Sequence, residues 1–358
     1  MSKGTVILGL SGGVDSSVAA FLLKEQGYEV IGITMINFRE QSLSPGICDA
    51  SEKSAADAAA VARYLGIPHM TVDFTRKFEN QVINHFVAEY LNGRTPNPCV
   101  VCNRFVKWEA MLAKCRELGG DYLATGHYAR IERLKNGRYA VMRSASAQKD
   151  QTYALYRLTQ EQLSRTLMPV GDFPKEEIRR IAERAGIPVA DKPDSMEICF
   201  IPDKDYAGFI ERRCGALPKG NYVNAKGELL GQHEGIIHYT IGQRKGLGLA
   251  MGHPVFVTEI RPKTNEVVIG EKEELFSSTL LCNQLSAMGV ESLDTGMQVQ
   301  AKIRYNHKGA SAVLERVGED ELICRFQEPQ RAVTPGQAVV FYQGDAVAGG
   351  GTIKGKMA

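Results

Sequence analysis

The sequence predicts an α/β protein with a doubly wound parallel sheet, followed by a small linker domain and a C-terminal β-barrel. Three observations carry that expectation. Strand-like and helix-like segments alternate through the first half of the chain, which implies a parallel sheet with helices on both faces. The first strand runs straight into Ser11-Gly-Gly-Val-Asp-Ser16 and then into a helix. From about residue 254 the texture becomes short alternating strands separated by turn residues. The expected divisions are residues 1–205, 206–270 and 271–358.

In chain order, TVILGL (5–10) and YEVIGITMI (28–36) read as buried strands, with the helix SSVAAFLLKEQG (16–27) between them. Residues 49–66 form the next helix, with Asp49 and Glu52 at capping-box spacing. PHMTVDF (68–74) is a strand, 76–93 a long amphipathic helix, and 103–120 another helix. DYLATGHY (121–128) supplies a further buried strand. RIERLKNGRYAVMR (130–143) interrupts the pattern with an Asn-Gly hairpin. The helical pattern returns over 174–188 and fades near Pro202. Residues 220–249 are glycine-rich with short strand-like pieces, and PVFVTEI, NEVVIG, MQVQAKIRY, SAVLERV, ELICRF and AVVFY come after them as short strands.

At 358 residues the chain is too long for one ordinary core. Its 44% hydrophobic and 23% charged content belong to a soluble globular protein, and no apolar run approaches the roughly 20 residues of a membrane span. MSKGTVILGL lacks the apolar core of a signal peptide, so the expected location is the cytoplasm, with no membrane partner. Eight cysteines include one close pair but no dense framework, which favours reduced, metal-binding or catalytic thiols. A net charge of +2 means that any nucleic acid must be met by local basic patches.

Gly12 and Gly13 let the backbone approach a ligand closely. The hydroxyls of Ser11, Ser16 and Ser17 and the first amides of the helix then make an anion site. The loop has no lysine to serve a γ-phosphate. It has Asp15, suited to Mg²⁺, and it suits a pyrophosphate leaving group, which means attack at the α-phosphate. Two other patterns are set aside. Gly350 to Lys356 imitates a phosphate loop, but Met357 stands where a hydroxyl is needed; His233 and His238 are five apart, off one helical face.

In GRTPNPCVVCNRFVKW, Pro96 and Pro98 stiffen a loop, and Cys99 and Cys102 precede a helix beginning near Asn103. A thiol at a helix N-terminus has its thiolate favoured; a buried structural pair or half of a zinc site is the alternative, though no second ligand pair has matching spacing. Cys199 lies in the polar, proline-flanked DKPDSMEICFIPD. On its own it is as well explained by packing.

SGGVDS (11–16), TPNP (95–98) with Cys102-Asn103, ATGHYAR (124–130), KDQTYALY (149–156), DSMEICFI (194–201) and VTPGQAVVFY (333–342) occur in one order across nearly the whole chain. Together they resemble the tRNA-specific 2-thiouridylases of the PP-loop ATP pyrophosphatase superfamily. The resemblance implies an enzyme that adenylates the C2 oxygen of the wobble uridine and replaces it with persulfide sulfur, releasing AMP and pyrophosphate. ATP and Mg²⁺ are the implied cofactors. Cys199 corresponds to the persulfide carrier and Cys102 to the partner thiol. Gly9, Leu10, Ser11, Gly12, Gly13, Val14, Asp15 and Ser16, with Met35 and Gly126, correspond to ATP contacts. Asn97, Pro98 and Cys99 correspond to the segment meeting the target base. His127, Lys149, Asp150, Gln151, Arg304, Tyr305 and Gln337 correspond to tRNA contacts. The implied partners are tRNAs accepting Lys, Glu and Gln, and a sulfur-relay or cysteine desulfurase protein.

Many members carry Asp where this chain has Cys99. Three cysteines, 99, 102 and 199, make a [4Fe–4S] cluster the second-ranked alternative to persulfide chemistry alone. A PP-loop amidotransferase-type ligase acting on a small carbonyl substrate is the rival activity, but it leaves both key cysteines idle. An RNA-binding module with a vestigial loop is the non-enzymatic rival, disfavoured by the intact loop.

Overall fold

The apolar run that opens the chain forms strand β1 (Thr5–Gly9) of a computed structural model that describes residues 2–39, 50–193 and 198–357. β2 (Glu29–Ile36), β3 (His69–Asp73) and β4 (Tyr122–Ala124) follow. After a hairpin of β5 (Arg130–Arg133) and β6 (Tyr139–Met142) comes the short β7 (Thr166–Leu167). β1 to β4 and β7 make a parallel sheet in the order β3-β2-β1-β4-β7. Central β1 is covered on both faces: Val6, Ile7 and Leu8 are fully buried, as a continuous apolar run in a parallel sheet requires.

One face packs on α1 (Val14–Glu25), α2 (Ala50–Leu65) and a later helix, Lys175–Arg184, through Val18, Val61 and Ile178. Between these in sequence, α3 runs through Thr75–Phe78, a π-helical stretch Glu79–Ile83 and Asn84–Leu91. α4 runs through Pro98–Cys102, a π-helical stretch Asn103–Ala110 and Met111–Glu117, and Lys175–Arg184 is α5. α4 covers the other face of the sheet through Trp108, Met111 and Leu112, in a core that also takes in Val340 and Tyr342 from the far end of the chain. The chain order reverses between β2 and β4 on either side of β1, so the carboxyl ends of β1 and β4 flank the switch point where such sheets bind ligands.

α6 (Tyr206–Cys214) leads to a second sheet built from β8 (Gly220–Val223), β9 (Leu229–His233), β10 (Phe256–Arg261) and β11 (Glu266–Gly270), in the order β10-β11-β8-β9. Although 254–260 and 265–270 share the short-strand texture of the C-terminal residues, here β10 pairs with β11 and β11 with β8, because alternation marks a half-buried strand without naming its neighbour. The remaining strands are β12 (Phe276–Ala287), β13 (Gln298–Lys302), β14 (Ala310–Arg316), β15 (Glu321–Arg331), β16 (Ala338–Gln343) and β17 (Ala346–Lys356). They run antiparallel, and β12 pairs with both β15 and β17, closing the barrel. The β5–β6 hairpin extends that sheet by docking on β17, with Arg143 N–H donating to Asp345 C=O at 2.9 Å. The expected Asn-Gly hairpin is therefore present, as part of the last sheet rather than an interruption of the first. Gly350 to Lys356 lie within β17, a strand and not a phosphate loop.

The expected start of α4 near Asn103 is corrected to Pro98. Asn97 is its N-cap, accepting the Cys99 N–H at 3.1 Å, and Pro98 takes the first helical position, where its missing N–H costs nothing. The capping box at Asp49 lies outside the described residues, as do Asp194, Ser195, Met196 and Glu197 of the DSMEICFI stretch. Among the described residues no helix is long and apolar enough to cross a membrane.

Candidate active site

The loop after β1 is held by its own hydroxyls. Ser16 Oγ donates to Gly13 C=O at 3.1 Å and lies 3.0 Å from Ser11 Oγ, and Ser11 N–H donates to Ser16 Oγ at 3.1 Å. Ser17 Oγ donates to Gly13 C=O at 2.8 Å. Ser16 and Ser17 are buried and brace the turn, so of the three hydroxyls expected to face a ligand only that of Ser11 belongs to an exposed residue. Gly12 takes φ +68°, and a Cβ there would stand 2.5 Å from Ser54 C=O, so only glycine fits against α2. Leu10 is buried beneath the turn, its C=O accepting Thr34 Oγ1 at 2.7 Å. Gly13 is the N-cap of α1 and brings no side-chain acceptor, which leaves the first N–H groups of α1, from Val14 onward, for a ligand. These residues fit the phosphates of a nucleotide. Met35, at the carboxyl end of β2, is half-buried beside the loop.

Gly126 follows β4 and presses on α1: a Cβ there would lie 2.7 Å from Ser16 N. Its neighbours tie the loop down. Tyr128 hydroxyl donates to Asp15 Oδ1 at 2.6 Å, and the buried Lys175 donates to the same oxygen at 2.6 Å. One carboxylate beside a phosphate site is a donor set that Mg²⁺ uses with a nucleotide, and Asp15 is the residue that would hold it.

Next to Gly126, His127 is buried. Its Nδ1 is 2.8 Å from Thr125 Oγ1 and its Nε2 is 3.5 Å from Lys107 Nζ. An ammonium only donates, so Nε2 accepts and Nδ1 carries the proton. Burial, and then the Lys107 charge, hold the His127 pKa well below the usual histidine value. Trp108 packs on the imidazole with ring centres 5.4 Å apart and donates to Thr166 Oγ1 at 2.8 Å.

Lys107 also faces the cysteines. In an α-helix, at about 100° per residue, it would point roughly 140° away from Cys102. The wider π-helical stretch Asn103–Ala110 brings it round. Its charge opposes the burial that raises the thiols of Cys102 and Cys199. The expected ionised Cys102 at a helix start is corrected. Cys102 sits a full turn inside α4 and is buried, beyond the reach of the helix dipole, and burial pushes its thiol up to about 12. Cys99, in the first turn, is exposed. Cys199 opens to solvent, yet crowding around it raises its thiol; Cys99 adds to that, while Lys107 and the Phe200 N–H oppose it. Among the described residues no group of three or more His, Cys, Asp or Glu side chains is arranged to hold a metal ion, so the cluster alternative finds no ligand set.

The segment before Cys99 is pinned by the barrel. Thr95 N–H donates to Pro335 C=O at 2.9 Å, and Gln337 Nε2 donates to Thr95 C=O at 2.7 Å. Asn97 and Pro98 sit directly after this clasp. Asp150 is buried and accepts the Ser144 N–H at 3.0 Å and the Thr152 hydroxyl at 2.5 Å. Gln151 Oε1 accepts the Tyr128 N–H at 2.9 Å, and Lys149 is half-buried. Arg304 donates to Arg331 C=O at 3.0 Å. Tyr305 is 40% exposed, stands edge-on to Tyr153, and lies close enough to Asp150 and Cys99 for their charges to add to the burial that raises its phenol. Asp150 and Cys99 thus both stand near Tyr305, and Arg304 is near Tyr153, the ring that Tyr305 meets.

The chain matches known proteins along nearly its whole length. Three family models match: tRNA methyl transferase HUP domain over residues 4–203, tRNA methyl transferase PRC-barrel domain over 207–271, and aminomethyltransferase beta-barrel domain over 277–353. A tRNA-specific 2-thiouridylase MnmA of Lachnoclostridium phytofermentans is 57% identical over 97% of this chain and 99% of its own. Proteins of the same name from Clostridium acetobutylicum and Carboxydothermus hydrogenoformans are 52% and 50% identical, over 98% and 100% of this chain and 99% of their own. The chain belongs to the tRNA-specific 2-thiouridylase family.

Two residues of this 2-thiouridylase-family site were not singled out from sequence, Lys107 and Lys175. Lys107 follows Cys102 by five residues, a spacing that means nothing unless a π-turn is foreseen. Lys175 arrives 160 residues after its partner Asp15, and only the tertiary fold joins them.

Proposed function

We propose that this protein is an ATP-dependent tRNA-uridine 2-sulfurtransferase, making 2-thiouridine at the wobble position. The observation that carries the reading is the continuity of the site. The helix start that fits a nucleotide touches Gly126, His127 follows Gly126, and Lys107 stands between His127 and the Cys102–Cys199 pair. Adenylation turns the C2 oxygen of uracil, a hopeless leaving group, into AMP, and the sulfur that displaces it must stand close by. The parallel-sheet domain holds ATP and the thiols, and the linker and barrel grip tRNA.

Cys199, exposed, suits a persulfide carrier that must meet both a sulfur donor and the base. After its terminal sulfur attacks C2 and AMP departs, Cys102 attacks Cys199 Sγ. The sulfur stays on the base, a Cys102–Cys199 disulfide forms, and a dithiol reductant resets it. Burial keeps Cys102 a thiol until that step, and Lys107 is the cation that steadies its thiolate. Asn97, Pro98 and Cys99 line the base site, and Arg304 and Tyr305 contact tRNA.

Incubation with [α-³²P]ATP and bulk tRNA tests the reading. Label should enter a tRNA adenylate, or AMP released from it, only when tRNA is present. Equal adenylation without tRNA would favour the small-substrate ligase, and none with tRNA would leave only a binding module.

A further inference from the structure

The Ser11–Ser16 loop has no lysine, yet the fold delivers two from distant segments. Lys192 donates to Gly12 C=O at 2.9 Å and to Asp57 Oδ2 at 2.6 Å, on the side where Gly12 abuts α2; it braces the back of the loop. Lys175 is placed differently. Its ammonium reaches Asp15 Oδ1 at 2.6 Å in the first turn of α1, over the Tyr128 ring at 5.6 Å, with the side chain only 8% exposed. A cation at the positive end of a helix opposes the helix dipole, and Lys175 is itself the first residue of α5, so it opposes a second one. Burying a lysine there stabilises the fold poorly: a buried ion pair roughly breaks even against an apolar pair. What the placement does supply is positive charge where α1 leaves its N–H groups uncapped.

We infer that Lys175 is the missing phosphate lysine of this loop, held at its mouth by Asp15 and Tyr128 and meeting the pyrophosphate part of ATP. The inference rests on the reading of the loop as an ATP site. It assigns Asp15 two tasks: fixing the ammonium before the nucleotide arrives, and turning to Mg²⁺ once the phosphates share that charge. A plain strut between α1 and α5 is the competing explanation, and the two differ in which nucleotides they affect.

Equilibrium binding of ATP and of AMP to the full chain, with Mg²⁺ and without tRNA, separates them. Wild type that binds no ATP would sink the loop reading itself. Given wild-type binding, Lys175→Met should weaken ATP roughly 10- to 100-fold, the worth of a charge-assisted contact, and AMP less than about twofold. Lys175→Arg should recover most of the loss, and Lys175→Gln, which keeps a hydrogen bond to Asp15 without the charge, should show the same ATP-selective defect. Thermal melting confirms that each variant is folded. Folded Lys175→Met or Lys175→Gln with wild-type ATP affinity, or with ATP and AMP weakened equally, would overturn the assignment.

Discussion

Replacing Gly126 by alanine tests whether the β4 turn and the nucleotide loop form one surface. The added Cβ would stand 2.7 Å from Ser16 N, 2.8 Å from Asp15 C and 3.0 Å from Ser16 Cα. All three are backbone atoms, so no side-chain rotation relieves the clash. Restoring a 3.4 Å contact moves the first turn of α1 back by about 0.7 Å. That turn carries the uncapped N–H groups and Asp15, which is tied to Tyr128 and Lys175. Overpacking of this kind costs about 1–3 kcal/mol, and each kcal/mol lowers Tm by roughly 2–4 °C in a domain of this size. A displacement approaching 1 Å at a binding site costs on the order of tenfold to a hundredfold. ATP titration and thermal melting of the purified chain read both effects. Gly355→Ala, in the barrel strand β17, is the control, since its Cβ would meet nothing within 4 Å; it should keep ATP affinity within about twofold. Gly126→Ala that binds ATP as well as wild type would refute the placement of the nucleotide.

Cys199→Ala and Cys102→Ala should each abolish 2-thiouridine while leaving tRNA-dependent adenylation, read as pyrophosphate release; Cys102→Ala alone should still load a persulfide, visible by intact-protein mass spectrometry. Cys99→Ala should cost only modest activity, and protein purified in air should work without added iron; loss of activity together with bound iron would contradict this. Lys107→Met should slow sulfur transfer more than adenylation, with Lys107→Arg partly restoring it. Arg304→Ala should weaken all substrate tRNAs alike and lower the salt slope by roughly one unit in filter binding. Because His127 is held neutral in the fold, the unfolded chain takes up more protons below its ordinary pKa of about 6.5, and stability should fall as pH drops through and below that value. Denaturant melts should show a shallower acid loss for His127→Gln, by up to about 1.4 kcal/mol per pH unit; an unchanged slope would mean the imidazole is already charged.

The strand-to-helix loop, the parallel sheet and the C-terminal barrel were legible because each rests on a local pattern: an unbroken apolar strand, glycines before a helix, and period-two alternation. What eluded the sequence depends on distant contacts. Nothing local in RIERLKNGRYAVMR says that its hairpin will dock on β17. Burial reversed the expected ionisation of Cys102, although Asn97-Pro98, a capping residue followed by proline, was the available sign that α4 starts before the cysteines. Ser16 and Ser17 were read as ligand-facing from composition, but a tight turn needs its own hydroxyls to satisfy Gly13 C=O. Lys175 completes the loop from another helix, a placement no spacing rule encodes.

Whether this site puts sulfur into tRNA is decided by mass spectrometry of nucleosides from unmodified tRNA, after incubation with the protein, Mg²⁺, ATP and a persulfide donor. The expected result is one 2-thiouridine per substrate tRNA, absent without ATP and absent with Cys199→Ala. Thiolation that persists in the Cys199→Ala protein, or AMP formed on tRNA with no thiouridine under a full sulfur supply, would contradict it.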